Sequence, residues 1–161
     1  MRYRLLACLS ALLLAGGGLI VATAQQAGAQ TEFTVVATQT NFEIILANGT
    51  VTQNPTAPLQ AGDRFTLRES LAQGSTVVGF DNVDCSVTFN NNTLCDAVWA
   101  FTGRGDIMGT ALLRDEVDPN SNGPSVFDAA ITGGTFAYAH ASGSIHFVNQ
   151  SNNVSQETFQ F

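Results

Sequence analysis

Glu69 is the residue whose neighbours most suggest chemistry. In RFTLRESL (residues 64–71), alternation sets Phe65, Leu67, Glu69 and Leu71 on one face and Arg64, Thr66, Arg68 and Ser70 on the other. A carboxylate on an apolar face that turns into a protein interior loses its water. Its pKa then rises, and it becomes a usable general acid or base. If that face turns outward, or an arginine pairs with it, Glu69 is an ordinary surface acid. His140 and His146 share no metal-ligand spacing with cysteines or acids, so no metal site is expected from them. DPNSNG (Asp118–Gly123) copies the first half of a calcium loop, but Ala129 stands where the closing glutamate belongs. A polar turn explains the same letters. Arg104–Asp106 spells RGD and is read as a turn. No Ser-His-Asp order and no cofactor fingerprint occurs, so no cofactor is implied. Trp99, Phe101 and Phe147 are large aromatics that either line a cavity or fill a core.

The elements that would position these residues are strands. Val83, Cys85, Val87 and Phe89 alternate with Asp84, Ser86 and Thr88, and Cys95, Ala97, Trp99 and Phe101 continue the pattern. Further strands are expected at 33–40, 42–46, 76–80, 107–113, 126–132, 144–149 and 154–161. The separators are rich in Gly, Asn, Pro and Asp, as turns are. No sustained helical period and no internal repeat follows residue 30. Short, evenly spaced strands in one chain of this length make a sandwich or a closed barrel.

The first 29 residues read as a secretory signal. Two arginines precede an apolar run, Leu5–Ala24, and Ala27-Gly28-Ala29 supplies small residues at an export-cleavage spacing. The competing reading is a membrane anchor; Gly16, Gly17 and Gly18 and the polar Gln25-Gln26 pair argue against it. The expectation is therefore a single secreted domain over residues 30–161, free of the membrane after cleavage. The chain has no lysine, and its exported part sets four arginines against thirteen acids, a net charge of −9. Nucleic acid is excluded as a partner, because phosphate binding needs clustered cations. Cys85 and Cys95 remain after export, and two cysteines in such a chain point to a disulfide. The bridge would require a hairpin loop of about five residues near 88–92, and would stabilise the fold by roughly 2–3 kcal/mol. Two free thiols, one lining a cavity, is the other reading.

AITGGT (residues 130–135), the following Tyr138 and then Gly143 resemble the signature of the allene oxide cyclase and dirigent barrel superfamily. GDRFTLRESL, VVGFDNVDCSVT and WAFTGRGDIMGTALL are similar to successive strands of that family and occur in its order. The resemblance implies an all-β fold, an eight-stranded antiparallel barrel with a lipocalin-like cavity, often assembled as a homo-oligomer. In it a strand ends at Gly133-Gly134, turns, and re-enters at Gly143. Positive φ at the two adjacent glycines is the expected reason for their presence. Asp128 matches an acidic position before that turn, and is a second catalytic candidate beside Glu69. Ser142 stands where dirigent proteins carry an arginine. Phe65, Leu67, Trp99, Phe101, Tyr138 and Phe147 are expected to line the cavity.

Two functions follow from these expectations. One is a cofactor-free cyclase or coupling guide that folds a reactive apolar molecule and excludes water. The other is a carrier that holds a small apolar molecule without changing it. A barrel packed solid would instead be a structural surface module.

Overall fold

The computed structural model describes residues 32–55, 57–89, 92–114, 126–151 and 153–161. The expected signal segment and the calcium-like Asp118–Gly123 loop lie outside these residues. Nine strands form one antiparallel sheet: β1 (Glu32–Ile45), β2 (Val51–Thr52), β3 (Arg64–Gln73), β4 (Thr76–Val87), β5 (Thr93–Phe101), β6 (Gly105–Leu113), β7 (Val126–Gly134), β8 (Gly143–Ser151) and β9 (Val154–Gln160). β9 pairs back onto β1, from Glu32 opposite Gln160 to Thr38 opposite Val154. β1 and β3–β9 thus close an eight-stranded barrel, and β2 adds a two-residue ribbon beside the end of β1. Closure leaves no open edge in the barrel wall. Phe136–Tyr138 forms one 3₁₀ turn, and no helix among the described residues is long and apolar enough to cross a membrane.

Two expected strands, 33–40 and 42–46, are one. β1 runs unbroken through both, with a bulge in its pairing to β3 between Gln39 and Asn41. The extra residue shifts the alternation, so Val35 and Ala37 are buried before the bulge and Ile44 after it. A phase change in the apolar pattern looks like a strand break in sequence. Likewise 76–80 and 83–87 join into β4. Phe89, expected to continue the inward face of that strand, sits in the hairpin loop and is 84% exposed.

The β4–β5 hairpin carries the disulfide. Cys85 and Cys95 lie directly opposite, and Val87 faces Thr93 at the end of the ladder. The loop is closed by Thr88 N–H donating to the Asn92 carbonyl at 2.7 Å. Both cysteines are buried and bonded, so the free-thiol reading is excluded.

At the other end, β7 stops at Gly134 and β8 begins at Gly143, where the sequence placed the corner. The reason expected for the glycine pair is corrected: neither Gly133 nor Gly134 has positive φ. Gly134 is needed for close approach, since a Cβ there would lie 2.5 Å from the Tyr138 carbonyl oxygen. Positive φ occurs instead in the turn itself, at Phe136 (49°) and His140 (72°), and at Gly143 (150°).

Candidate functional site

The barrel interior has two unlike halves, set by which residues alternate inward. At the end where β1 begins, Phe33, Phe101, Phe159, Tyr138 and Phe161 pack edge-to-face or stacked, with ring centroids 4.7–6.3 Å apart. Leu71, Ile107 and Ile145 complete this half, each fully buried. Arg104 caps it, its guanidinium 5.3 Å from the Tyr138 ring centre and 5.6 Å from that of Phe33. Toward the β4–β5 hairpin the inward residues Phe65, Leu67, Val83, Ala97, Leu113 and Phe127 are only half-buried. An inward side chain that still meets solvent borders a space that solvent can enter. One rim of this half is closed by a separate cluster of Ile44, Leu59 and Val87. Asp63 holds that rim, accepting from Ala47 N–H at 2.7 Å and Gln60 N–H at 2.8 Å.

Three carboxylic acids lie between the halves. Glu69 on β3 sits directly opposite Asp81 on β4, and Asp81 in turn opposite Trp99 on β5. Glu157 reaches in from β9, and one carboxylate oxygen from each acid lies within 4.8 Å of the other two. Trp99 Nε1–H donates to Glu157 Oε2 at 2.8 Å, and Ser155 Oγ–H donates to Oε1 at 3.4 Å. Glu69 N–H donates to Asp81 Oδ1 at 3.1 Å, and the two carboxyl groups share a side-chain hydrogen bond when one of them carries a proton. Gly109 makes room for the indole, since a Cβ there would lie 3.0 Å from Trp99 Cζ3.

Burial sets the protonation of the three. It lifts Glu69 from the ordinary carboxylate range to about 7. Burial first, and then the neighbouring Glu69 charge, lifts Asp81 to about 8. Glu157 is pushed well above its usual value by burial, then by the charges of Asp81 and Glu69; the Trp99 and Ser155 donors work against this. Three anions this close without a cation would repel strongly, so the group holds protons at neutral pH. A carboxyl that is half protonated near pH 7 can both give and take a proton. The cluster could also hold a cation, a possibility the reading of histidines and cysteines alone did not raise.

The structure brings Glu69, Leu67, Phe65, Trp99 and Phe147 to the open half or its acid floor. Phe101 and Tyr138 go to the packed half instead. Asp128 points outward from β7 and binds His146 Nδ1 at 2.8 Å across the wall, remote from the interior acids. His140 is exposed in the turn after Tyr138. Asp81 and Glu157 were overlooked. Both were legible by parity, since Asp81 alternates with Val83 and Cys85, and Glu157 with Ser155 and Phe159. A concavity of about 670 Å³ lies on the outer wall among Arg68, Asn82, Asp84, Asp96, Val98 and Met108. It contains none of the interior acids.

The sequence matches no family model and no curated protein. The fold, however, is that of solved barrels. A pyocyanin demethylase superposes with a TM-score of 0.61 at 20% identity, covering 81% of this chain and 100% of that one. Two pterocarpan synthase dirigent proteins follow. One has a TM-score of 0.54 at 17% identity, covering 82% of each chain. The other has a TM-score of 0.50 at 15% identity, covering 83% of this chain and 93% of that one. The dirigent-type barrel suggested by the Gly-Gly corner is therefore the fold of this protein.

Proposed function

We propose that this protein binds a small hydrophobic molecule in the open half of its barrel. There the Glu69–Asp81 pair moves a proton on that molecule in a cofactor-free cyclisation or isomerisation. One observation carries the reading: two facing carboxyls, lifted by burial to about 7 and about 8, beside inward apolar side chains that are only half-buried. Acid and base strengths near the working pH are what proton transfer needs. The apolar walls would hold the molecule in one conformer and keep water from the reacting atoms. The names of the structural neighbours, a demethylase of pyocyanin and synthases of pterocarpans, support a small-molecule reading. The buried Cys85–Cys95 bridge supports export into an oxidising compartment, with residues 1–29 as the signal.

A second reading, a carrier without turnover, is favoured by the apolar side chains of Phe65, Leu67, Val83, Ala97 and Phe127 that face inward beyond the acids. Nile red titration tests the cup common to both, the open half of the barrel. Micromolar binding is expected, about −8 kcal/mol. Glu69→Leu should tighten it, by removing a carboxyl that must be desolvated, and Leu67→Trp should weaken it by filling the cup. No saturable binding, or binding indifferent to both changes, rejects the cup. Native mass spectrometry of secreted protein then separates the two readings. A co-purified molecule altered by wild type and left intact by Glu69→Gln identifies an enzyme. One that wild type leaves intact identifies a carrier.

A further inference from the structure

The outer wall of a closed barrel meets water on every side, so its outward positions should be polar from strand to strand. Here the strands differ. β9 turns Gln156, Thr158 and Gln160 outward, and β3 turns Arg64, Thr66, Arg68 and Ser70 outward. β5 and β6 instead present Leu94, Val98, Met108 and Leu112, each between 38% and 49% exposed. The register sets these four at the corners of a rectangle: Leu94 lies directly opposite Leu112, and Val98 opposite Met108. Asp96 and Thr110 face each other at its centre. The flanking strands continue the same rows with polar and small residues. Asp84 and Ala130 stand beside the central pair, and Asn82 and Gly133 beside Val98 and Met108. The concavity of about 670 Å³ opens on this face, with Asn82, Val98 and Met108 in its lining.

We propose that this face binds a second copy of the chain, about a two-fold axis that runs parallel to β5 and β6 and midway between them. The barrel wall has no open edge to which a strand could add, so a partner must offer a face of its own. In a two-fold contact, residue i meets j while j meets i, and this rectangle is complementary to itself in that way. Leu94 meets the partner's Leu112. Val98 meets the partner's Met108, whose flexible side chain suits the concavity beside it. Charge fits the same operator. The chain sets thirteen acids against six arginines, so two copies repel wherever acid meets acid. Along the row Asp84, Asp96, Thr110, Ala130, the axis places Asp96 over the partner's Thr110 and Asp84 over the partner's Ala130. Neither carboxylate meets another. The same acidic balance disfavours an anionic membrane on this face. Four strands by eight residues span roughly 19 by 26 Å. Side-chain relief raises the accessible surface of such a face toward ~800 Å² per partner, the size of a stable interface.

Sedimentation equilibrium of the secreted protein tests the contact. Wild type should weigh as a dimer at about 10 µM, as an interface of this size allows. Met108→Glu sets a charge against the apolar face of the partner and should weaken association roughly a hundredfold. The far-UV spectrum should not change, because Met108 is exposed in the single chain. If Met108→Glu does not fold, Leu112→Glu at the opposite corner takes its place. Thr158→Glu, on the polar wall, should leave the mass as it is. Position 110 then tests the operator, because it lies under the partner's Asp96. Thr110→Asp should weaken association about tenfold, and Thr110→Lys should leave it as tight or tighter. A wild type that stays monomeric at about 100 µM, an assembly other than a dimer, or a dimer indifferent to the glutamate variants overturns the inference. A dimer that Thr110→Lys weakens more than Thr110→Asp does overturns it as well, since like residues would then meet across the axis.

Discussion

The two halves of the barrel interior are built from the same strands and yet differ in kind. On one side of the acids, Phe33, Leu71, Phe101, Ile107, Ile145 and Phe159 interlock, most of them without solvent contact. On the other, Leu67, Val83, Ala97 and Phe127 point inward and remain half-exposed. The contrast arises from residue size along single strands: β5 places Phe101 and Trp99 in the packed half and at the boundary, then the smaller Ala97, Cys95 and Thr93 beyond. If the proposed binding holds, the difference teaches that stability and binding fall to opposite ends. The packed end buries enough aromatic surface to tolerate three acids at its border. The open end relies on the Cys85–Cys95 bridge and a smaller apolar cluster in place of interlocked aromatics.

The largest effect should come from breaking the packed end. Phe159 stacks on Phe33 and meets Trp99 and Phe101 edge-on, fully buried. Phe159→Ala should lower stability by about 3–5 kcal/mol, the range for a large buried aromatic. Leu67→Ala, in the open half, should cost only about 1 kcal/mol, because little packing is lost there. Urea melts of both variants measure this. Equal losses would show the two halves to be one continuous core.

Part of this arrangement is legible from the chain alone. Period-two alternation and turn composition identify the strands, and Glu69 stands out because it interrupts Phe65, Leu67 and Leu71. What sequence hides is convergence. Glu69, Asp81 and Glu157 are 88 residues apart at their extremes, and only barrel closure through β1–β9 brings Glu157 to the other two. Each acid alone reads as one more polar residue in a strand. The bulge near Thr40 is hidden for a different reason. A one-residue phase shift resembles a boundary, and only the pairing with β3 shows that the strand continues. The corner glycines give the right place for the wrong physical reason, because close approach to the Tyr138 carbonyl is a tertiary fact. In sequence, Phe101 and Tyr138 look like Trp99 and Phe147, because an inward aromatic reads alike in either half.

The acid floor between the halves makes the next prediction, of intermediate size. In the unfolded chain these carboxyls ionise near pH 4; in the fold Glu69 and Asp81 keep a proton to about 7 and about 8. Between those limits the native state binds more protons than the unfolded one, so stability falls as pH rises. Their contribution is complete below about pH 4 and lost above about pH 8. It should amount to a few kcal/mol across that window, on the order expected from linkage. Glu69→Gln/Asp81→Asn should make the curve shallower, leaving only the slope that buried Glu157 contributes. Melting temperatures of wild type and variant from pH 5 to pH 9 test this. A wild type that gains stability toward pH 9, or a variant with the same slope, would show that the acids are ionised and solvated.

The smallest effect belongs to the wall, outside both halves. Asp128 and His146 face each other across β7 and β8 at 2.8 Å, but their side chains are 69% and 43% exposed. Water screens such a pair, and fixing two mobile side chains offsets much of the attraction. Asp128→Asn should therefore change stability by no more than about 0.5 kcal/mol, and Nile red affinity not at all. This is the comparison at its sharpest, because Glu69 and Asp128 are both strand carboxylates that sequence alone could assign to catalysis. One faces an interior without a cation; the other faces solvent with a histidine beside it. A tenfold loss of probe binding in Asp128→Asn would mean that the outer wall controls the cup. The division of labour between wall, floor and packed end would then fail, because a change at an exposed pair would have reached a site that shares no contact with it.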